Sequence, residues 1–282
     1  MTDSTTSPAR RTTIEVAGRS YAVCVPHAET DYIQSNLVRT GRPYEERMLE
    51  AMVAALEPGD LVVDVGANIG NHTLYLAVVG ELHVVAYEPN PELVAGIRAS
   101  VEANDLGDRV VVRDVGVHST AARGTMADLD ATNLGAQSVA VADDEGDFAV
   151  VALDDEQFPA RVAALKIDVE GAEIDVLEGA AALIGRDRPL LYVECGTLAG
   201  YQKVIPWMTE MGYAQTGTYN LTPTHVFRPA TGTPEEAEVV AALVAATEEI
   251  YGLNSLKRSL RDRISEYEKR LGETPPGGGD AP

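Results

Sequence analysis

A three-layer α/β fold, with a mostly parallel sheet covered by helices on both faces, is what this 282-residue sequence predicts. Three observations carry that expectation. From residue 61 onward, β-branched runs such as LVVDV and HVVAY alternate with amphipathic stretches. The first of those runs stops on a glycine turn, Gly66-Ala67-Asn68-Ile69-Gly70, that opens directly into a helix. The apolar fraction, 45%, is enough to fill one sizeable core.

Taken in order, residues 1–11 are polar and expected to be flexible. TIEVAGRSYAVCV alternates around a glycine turn and predicts a hairpin. A helix follows with Met48, Leu49, Met52, Val53 and Leu56 on one face and Pro58-Gly59 as its stop, so residues 12–60 form an N-terminal hairpin and helix. The core is expected over 61–230. Strand LVVDV leads to a helix ending on Gly80, and strand HVVAY to a helix capped by Asn90 with Pro91 in its first turn. RVVVRDVGV is the third strand. Residues 118–160 lack helical periodicity, carry one clear strand (FAVVAL), and read as an insertion on the substrate side. The rhythm resumes with strand ALKIDV, one helix bearing Ile174, Leu177, Ala181 and Ile184, strand PLLYVECG and helix VIPWMTEMG. YAQTGTYNL and THVFRP have no helix between them and predict an antiparallel edge.

Residues 234–271 read as a helical extension and 272–282 as a disordered tail. Within the extension, Leu253, Leu256, Leu260, Ile264, Tyr267 and Leu271 recur at three- and four-residue steps, and residues 253–271 hold six basic and three acidic residues. Three roles suit such a segment: a helix packed back on the domain, a homodimer contact through residues 234–271, or contact with an anionic partner.

The net charge of −22 argues against DNA or RNA as the main substrate, because nucleic acid affinity comes chiefly from neutralised phosphates. The two cysteines, Cys24 and Cys195, fit no metal spacing. The first thirty residues hold no apolar core of signal-peptide length, and no later run reads as a membrane span. A reducing cytoplasm is the expected setting.

What the glycine turn holds follows from its details. Its spacing is G-x-x-x-G, so the dinucleotide fingerprint G-x-G-x-x-G is broken, and no Gly-Lys-Ser/Thr follows to make a triphosphate loop. Asp64 precedes it, a carboxylate that would repel pyrophosphate but suits a cationic ligand. Glu88 ends the next strand, where an acidic side chain can accept from both ribose hydroxyls. A ribose joined to a cation, without phosphate, points to S-adenosyl-L-methionine.

These residues, together with YEERMLEAM, LDD at 153–155, KIDVEGAE within LKIDVEGAEIDVLEGA at 165–180, and PLLYVECG, resemble the FkbM family of S-adenosylmethionine-dependent methyltransferases over roughly residues 40–200. The resemblance implies a Rossmann-like class I methyltransferase fold with a mostly parallel seven-stranded sheet, and O-methylation of a hydroxyl on a sugar, polysaccharide or natural product. It also implies that Gly66, Ala67, Asn68 and Gly70 shape the backbone under the methionine moiety, that Asp64 binds near the donor's amino group, directly or through water, and that Glu88, stiffened by Pro89, holds the ribose. Asp114 and Val115 are then expected at the adenine, and Glu45 reaches the cofactor from the preceding helix.

Methyl transfer to a neutral hydroxyl is helped by a base or a metal. Strand periodicity puts Lys166, Asp168 and Glu170 on one side where the fourth core strand runs out, and Glu194 ends the adjacent strand. Asp168 or Glu170 is therefore the expected base, with Lys166 as a buried counter-ion. A divalent ion, magnesium or calcium, held by the same carboxylates is the less favoured route. His72 is a second candidate base, since a helix N-terminus favours neutral imidazole. Asn133, Gln137 and Asp154 of the insertion are candidates to face the acceptor. Two rivals stand beside this reading. One is N-methylation of a small molecule or nucleic acid base, although Asp168-Val169-Glu170-Gly171 stands where such enzymes usually carry D/N-P-P-Y/F. The other is a non-catalytic donor-binding scaffold that dimerises through its C-terminal helix.

Overall fold

The computed structural model describes residues 10–127, 138–142 and 146–272. An antiparallel hairpin, β1 (Arg11–Val16) and β2 (Arg19–Cys24), comes first and buries Ile14, Val16, Tyr21 and Val23. Helix α1 (Tyr32–Thr40) starts where the Asp31 carboxylate accepts from Gln34 N at 2.9 Å and stops at the left-handed Gly41. It had no sequence expectation because its buried face is only Gln34 and Leu37, too little for an apolar stripe. Helix α2 (Glu46–Ala54) buries Met48, Leu49 and Met52 as the periodicity predicts.

The alternating core then runs β3 (Leu61–Val65), α3 (Asn71–Val78), β4 (His83–Tyr87), α4 (Pro91–Ala103) and β5 (Val110–Arg113). Asn90 caps α4 by accepting from Glu92 N at 2.9 Å, with Pro91 in the first turn. The third strand of the sequence reading breaks at Asp114-Val115, and its end, β6 (Gly116–Val117), joins a different sheet. Together with β7 (Ala122–Ala127), β8 (Ser138–Ala142) and β9 (Phe148–Val151) it forms a four-stranded sheet in the order β6-β9-β7-β8. Among the described residues, the stretch read as having one clear strand thus has three. ARGTMA and SVAVA are too short and too rich in small residues to show alternation. Asn133 and Gln137 lie outside the described residues.

The core resumes with β10 (Val162–Ile167), and the single helix expected next is two, α5 (Glu173–Glu178) and α6 (Ala181–Asp187). They part at Gly179, where a Cβ would lie 2.2 Å from the His118 carbonyl oxygen, so the chain passes too close for a side chain. Asp154 is committed to this junction, its carboxylate accepting from Ala182 N at 2.9 Å and Leu183 N at 2.8 Å. Then follow β11 (Leu190–Glu194), α7 (Leu198–Glu210), β12 (Tyr213–Tyr219), β13 (Thr224–Pro229) and one long helix, α8 (Pro234–Gly272).

The main sheet has seven strands in the order β12-β13-β11-β10-β3-β4-β5. Five are parallel, and β13 and β12 add the antiparallel edge that the sequence predicts. Alternation within strands sends Val62, Val84 and Ala164 to a core shared with the hairpin, α2, α3 and α4; Val63, Val65, Leu165 and Ile167 face a second core under α5, α6 and α7. The strand order reverses between β3 and β10, which makes their carboxyl ends the topological switch point.

Helix α8 docks beside β12 and β13 through Thr247 and Tyr251, both nearly fully buried. Within Pro234–Ser265 an 18-residue window reaches a mean hydropathy of 1.2, so by length and composition alone this helix could cross a membrane. The expectation that no later run does so is corrected to that extent: between Glu238 and Lys257 the charged residues are Glu248 and Glu249 alone, among alanine, valine and leucine. Leu253, Leu256, Leu260 and Ile264 lie exposed along it.

Candidate active site

The glycine turn is the floor of the site. Gly66 (φ 76°), Asn68 (φ 51°) and Gly70 (φ 86°) are all left-handed. A Cβ on Gly66 would stand 1.8 Å from the Asp168 carbonyl oxygen, because the loops after β3 and β10 are pressed together at the switch point. Gly66 N and Ala67 N both donate to the Tyr87 carbonyl at 3.0 Å, tying the turn to the end of β4. There Glu88, 5% exposed, accepts from Asn68 N at 2.8 Å and Asn90 N at 2.9 Å. Burial pushes its carboxyl up to about 7 despite those two donors.

Beneath the turn lies a buried ion pair. Lys166 and Asp64 are register partners on the adjacent strands β10 and β3, and Lys166 Nζ lies 3.3 Å from Asp64 Oδ1. Asp64 also accepts from Thr73 Oγ1 at 2.6 Å. Burial alone would raise the Asp64 carboxyl, but Lys166, His72 and the Thr73 hydroxyl hold it below the usual carboxylate range. The Lys166 ammonium donates to the Gly66 carbonyl and to Asp168 Oδ2, each at 3.2 Å. Burial works against its charge, yet Asp168 and Asp64 raise its pKa above the ordinary lysine value.

Above Lys166 three carboxylates converge. Asp168, Glu170 and Glu194 each bring one oxygen to within 4.8 Å of the others. Glu170 sits in a left-handed conformation (φ 52°) next to Gly171. Burial, reinforced by Asp168 and Glu173, pushes its carboxyl up to about 7. Glu194 is raised further, by burial first and then by Asp168 and Glu45. Facing them, His72 Nε2 lies 3.1 Å from Glu45 Oε2. Glu45 is held there by a reciprocal pair of bonds one residue earlier: Tyr44 N donates to Asn71 Oδ1 and Asn71 Nδ2 to the Tyr44 carbonyl, both at 2.9 Å.

Two clefts of about 520 and 690 Å³ meet over the turn, sharing Gly66, Asn68, Asp168 and Glu170. The first is lined by Glu88, Pro89 and Val115, along with Tyr87 and Met126, which the sequence reading missed. The second is lined by Glu45, His72, Lys166 and Glu194, together with Tyr32, Tyr44, Asn71 and Thr222, also missed. Nothing in local pattern marks Tyr44 or Thr222; only the fold brings them to the carboxylates.

Four expected residues stand elsewhere. Asp64 is fully buried as the counter-ion of Lys166 and lines neither cleft, one layer beneath the turn. Asp114 turns outward, 65% exposed, to pair with Arg98 at 3.2 Å, because the chain leaves the main sheet at this point. Ala67 and Gly70 shape the turn from below: Ala67 is buried, and Gly70 N donates to the Ala67 carbonyl at 2.8 Å before α3 begins.

Among solved structures, the chain is similar to the methyltransferase FkbM from Methylobacillus flagellatus KT, with 17% identity, a TM-score of 0.47 and 72% of this chain covered. It spans 47% of that protein's length. A putative tRNA (m1A22) methyltransferase from Streptococcus pneumoniae matches at 13% identity and a TM-score of 0.47, covering 83% of this chain and 90% of its own. M. jannaschii TYW2, solved in complex with AdoMet, matches at 15% identity and a TM-score of 0.45, covering 78% and 85%. No curated protein matches the sequence. The family described as Methyltransferase FkbM domain matches residues 64–214, more than half of the chain and the whole stretch from Asp64 past Glu194. The chain therefore belongs to the FkbM methyltransferase family.

Proposed function

We propose that this methyltransferase uses S-adenosylmethionine to methylate a hydroxyl of a sugar, polysaccharide or natural-product metabolite, with Glu170 as the general base. The observation that carries this reading is the meeting of the two clefts at Asp168 and Glu170. The first cleft fits the nucleoside end of the donor: Glu88 stands at its wall to receive ribose hydroxyls, and Pro89 and Val115 offer apolar surface beside it. The donor supplies, when bound, a methyl carbon activated by its sulfonium.

The remaining work belongs to the chain. Lys166, donating to Asp168 at 3.2 Å, fixes that carboxylate in direction. Glu170, with its carboxyl near 7, is matched to taking a proton from the acceptor hydroxyl at neutral pH. Glu194, whose carboxyl is raised, is suited to donating a hydrogen bond to another acceptor oxygen. His72 turns its Nε2 toward Glu45, which favours a wall-forming role over that of base. The pressed-together loops at Gly66 and Asp168 exclude water from beneath the reacting atoms.

Glu170→Gln is expected to lower kcat by about 10²–10⁴-fold while leaving S-adenosylhomocysteine binding in place. The same variant should lose the rise of kcat/KM with pH through about 7 that titration of Glu170 gives the wild type. Unchanged turnover would remove Glu170 from the mechanism. A second reading rests on the three converging oxygens of Asp168, Glu170 and Glu194, a hard donor set suited to magnesium or calcium. Activity abolished by a chelator and restored by magnesium would favour it; indifference to the chelator supports the direct base.

A further inference from the structure

We propose that the acceptor carries an anionic group, a phosphate or a carboxylate, and that Lys257 and Arg261 of α8 receive it beside the methylation site. The proposal rests on the function given above and narrows its substrate class. A third cleft, of about 810 Å³, is lined by Glu170, Leu221 and Thr222 on one side and by Asn254, Lys257 and Arg261 on the other. Glu170 and Thr222 also line the acceptor cleft, so the two are continuous around the proposed base.

The basic pair is held in place by how α8 docks. Tyr251 Oη donates to the Cys195 carbonyl at 2.7 Å and lies 2.9 Å from His225 Nε2. Asn254 Nδ2 reaches the Leu221 carbonyl at 3.5 Å. From Asn254, steps of three and four residues keep Lys257 and Arg261 on the helix face that looks into the cleft.

Charge makes the placement informative. In a chain of net charge −22, acidic partners are abundant, yet neither Lys257 nor Arg261 makes an ion pair among the described residues. Ionised Glu170, the proposed base, would repel an anionic acceptor approaching without compensation. Two cations at the outer wall offset that repulsion and fix the far end of the acceptor, leaving its hydroxyl at Glu170. Among the described residues, two cations line the cleft. That matches one small anion better than a polynucleotide, which requires a run of phosphate contacts.

The test is calorimetric titration of S-adenosylhomocysteine-loaded protein at low salt with inorganic phosphate, glucose 6-phosphate, glucuronate, glucose and a short single-stranded oligonucleotide. Wild type and Lys257→Ala/Arg261→Ala are compared. The expected result is saturable binding of at least one small anion, weakened about tenfold or more in the double variant, with no binding of glucose. Whether the phosphates or glucuronate bind tells which anion the site takes. Equal binding to both proteins, or no small-anion binding to wild type, would overturn the proposal. So would an oligonucleotide that binds more tightly than any sugar and is lost in the double variant. Failure of S-adenosylhomocysteine itself to bind wild type would instead bring down the underlying function, and its retained affinity in the double variant shows that the variant is folded.

Discussion

Glu88 concentrates the physics of the site in one side chain. Its carboxyl is raised from 4.5 to about 7, chiefly by burial, so between those values the folded chain binds a proton that the unfolded chain has released. Stability from this group is complete below about pH 4.5 and is lost as pH rises through about 7. The loss is on the order of 3 kcal/mol. Relative to Glu88→Gln, which keeps an acceptor oxygen for one of the two amides and does not titrate, the wild type should lose that much unfolding free energy between about pH 5 and pH 8. Urea melts across the range measure it, and a pH-independent difference would contradict it. Glu88 was legible in the sequence because a strand end can be read locally. Asp64 was not: its burial as a counter-ion depends on Lys166 being its register partner, and that depends on β10 lying beside β3.

Between elements, the attachment of the α1–α2 connection to α3 decides where Glu45 stands. Asn71, 6% exposed, exchanges two hydrogen bonds with the Tyr44 backbone. Asn71→Ala leaves the Tyr44 N–H and carbonyl without those partners, at a cost of about 1–3 kcal/mol. Turnover should fall with stability as the Glu45–His72 wall is released, while Asn71→Ala combined with Glu45→Ala should show little further loss of turnover beyond either alone. Additive losses would mean that Asn71 does not act through Glu45. Strong apolar periods and caps made most of the core elements readable. What escaped were α1, whose buried face is two residues, the second sheet built from small-residue strands, and the Gly179 break, which exists because His118 passes close by. Each depends on a neighbour that local pattern does not reveal.

At the scale of the whole molecule, one strand reversal gathers the site. The chain runs from β3 outward to β5 in one direction and from β10 to β11 in the other, leaving a crevice at the carboxyl ends of β3 and β10. The glycine turn, Lys166 and the three carboxylates all open onto it. The glycine turn and the carboxylates could be named from spacing alone. The approach of α8 to Glu170 could not, since only the assembled fold brings Lys257 near it. The central claim is that this crevice binds S-adenosylmethionine on a turn that tolerates no side chain at Gly66. Calorimetric titration of S-adenosylhomocysteine into wild type and Gly66→Ala tests it most directly. The account predicts saturable binding to wild type and loss of at least about 100-fold in the variant, because the added Cβ would collide with the Asp168 carbonyl 1.8 Å away. Equal affinity in a folded Gly66→Ala, or no binding to wild type at millimolar ligand, would contradict it.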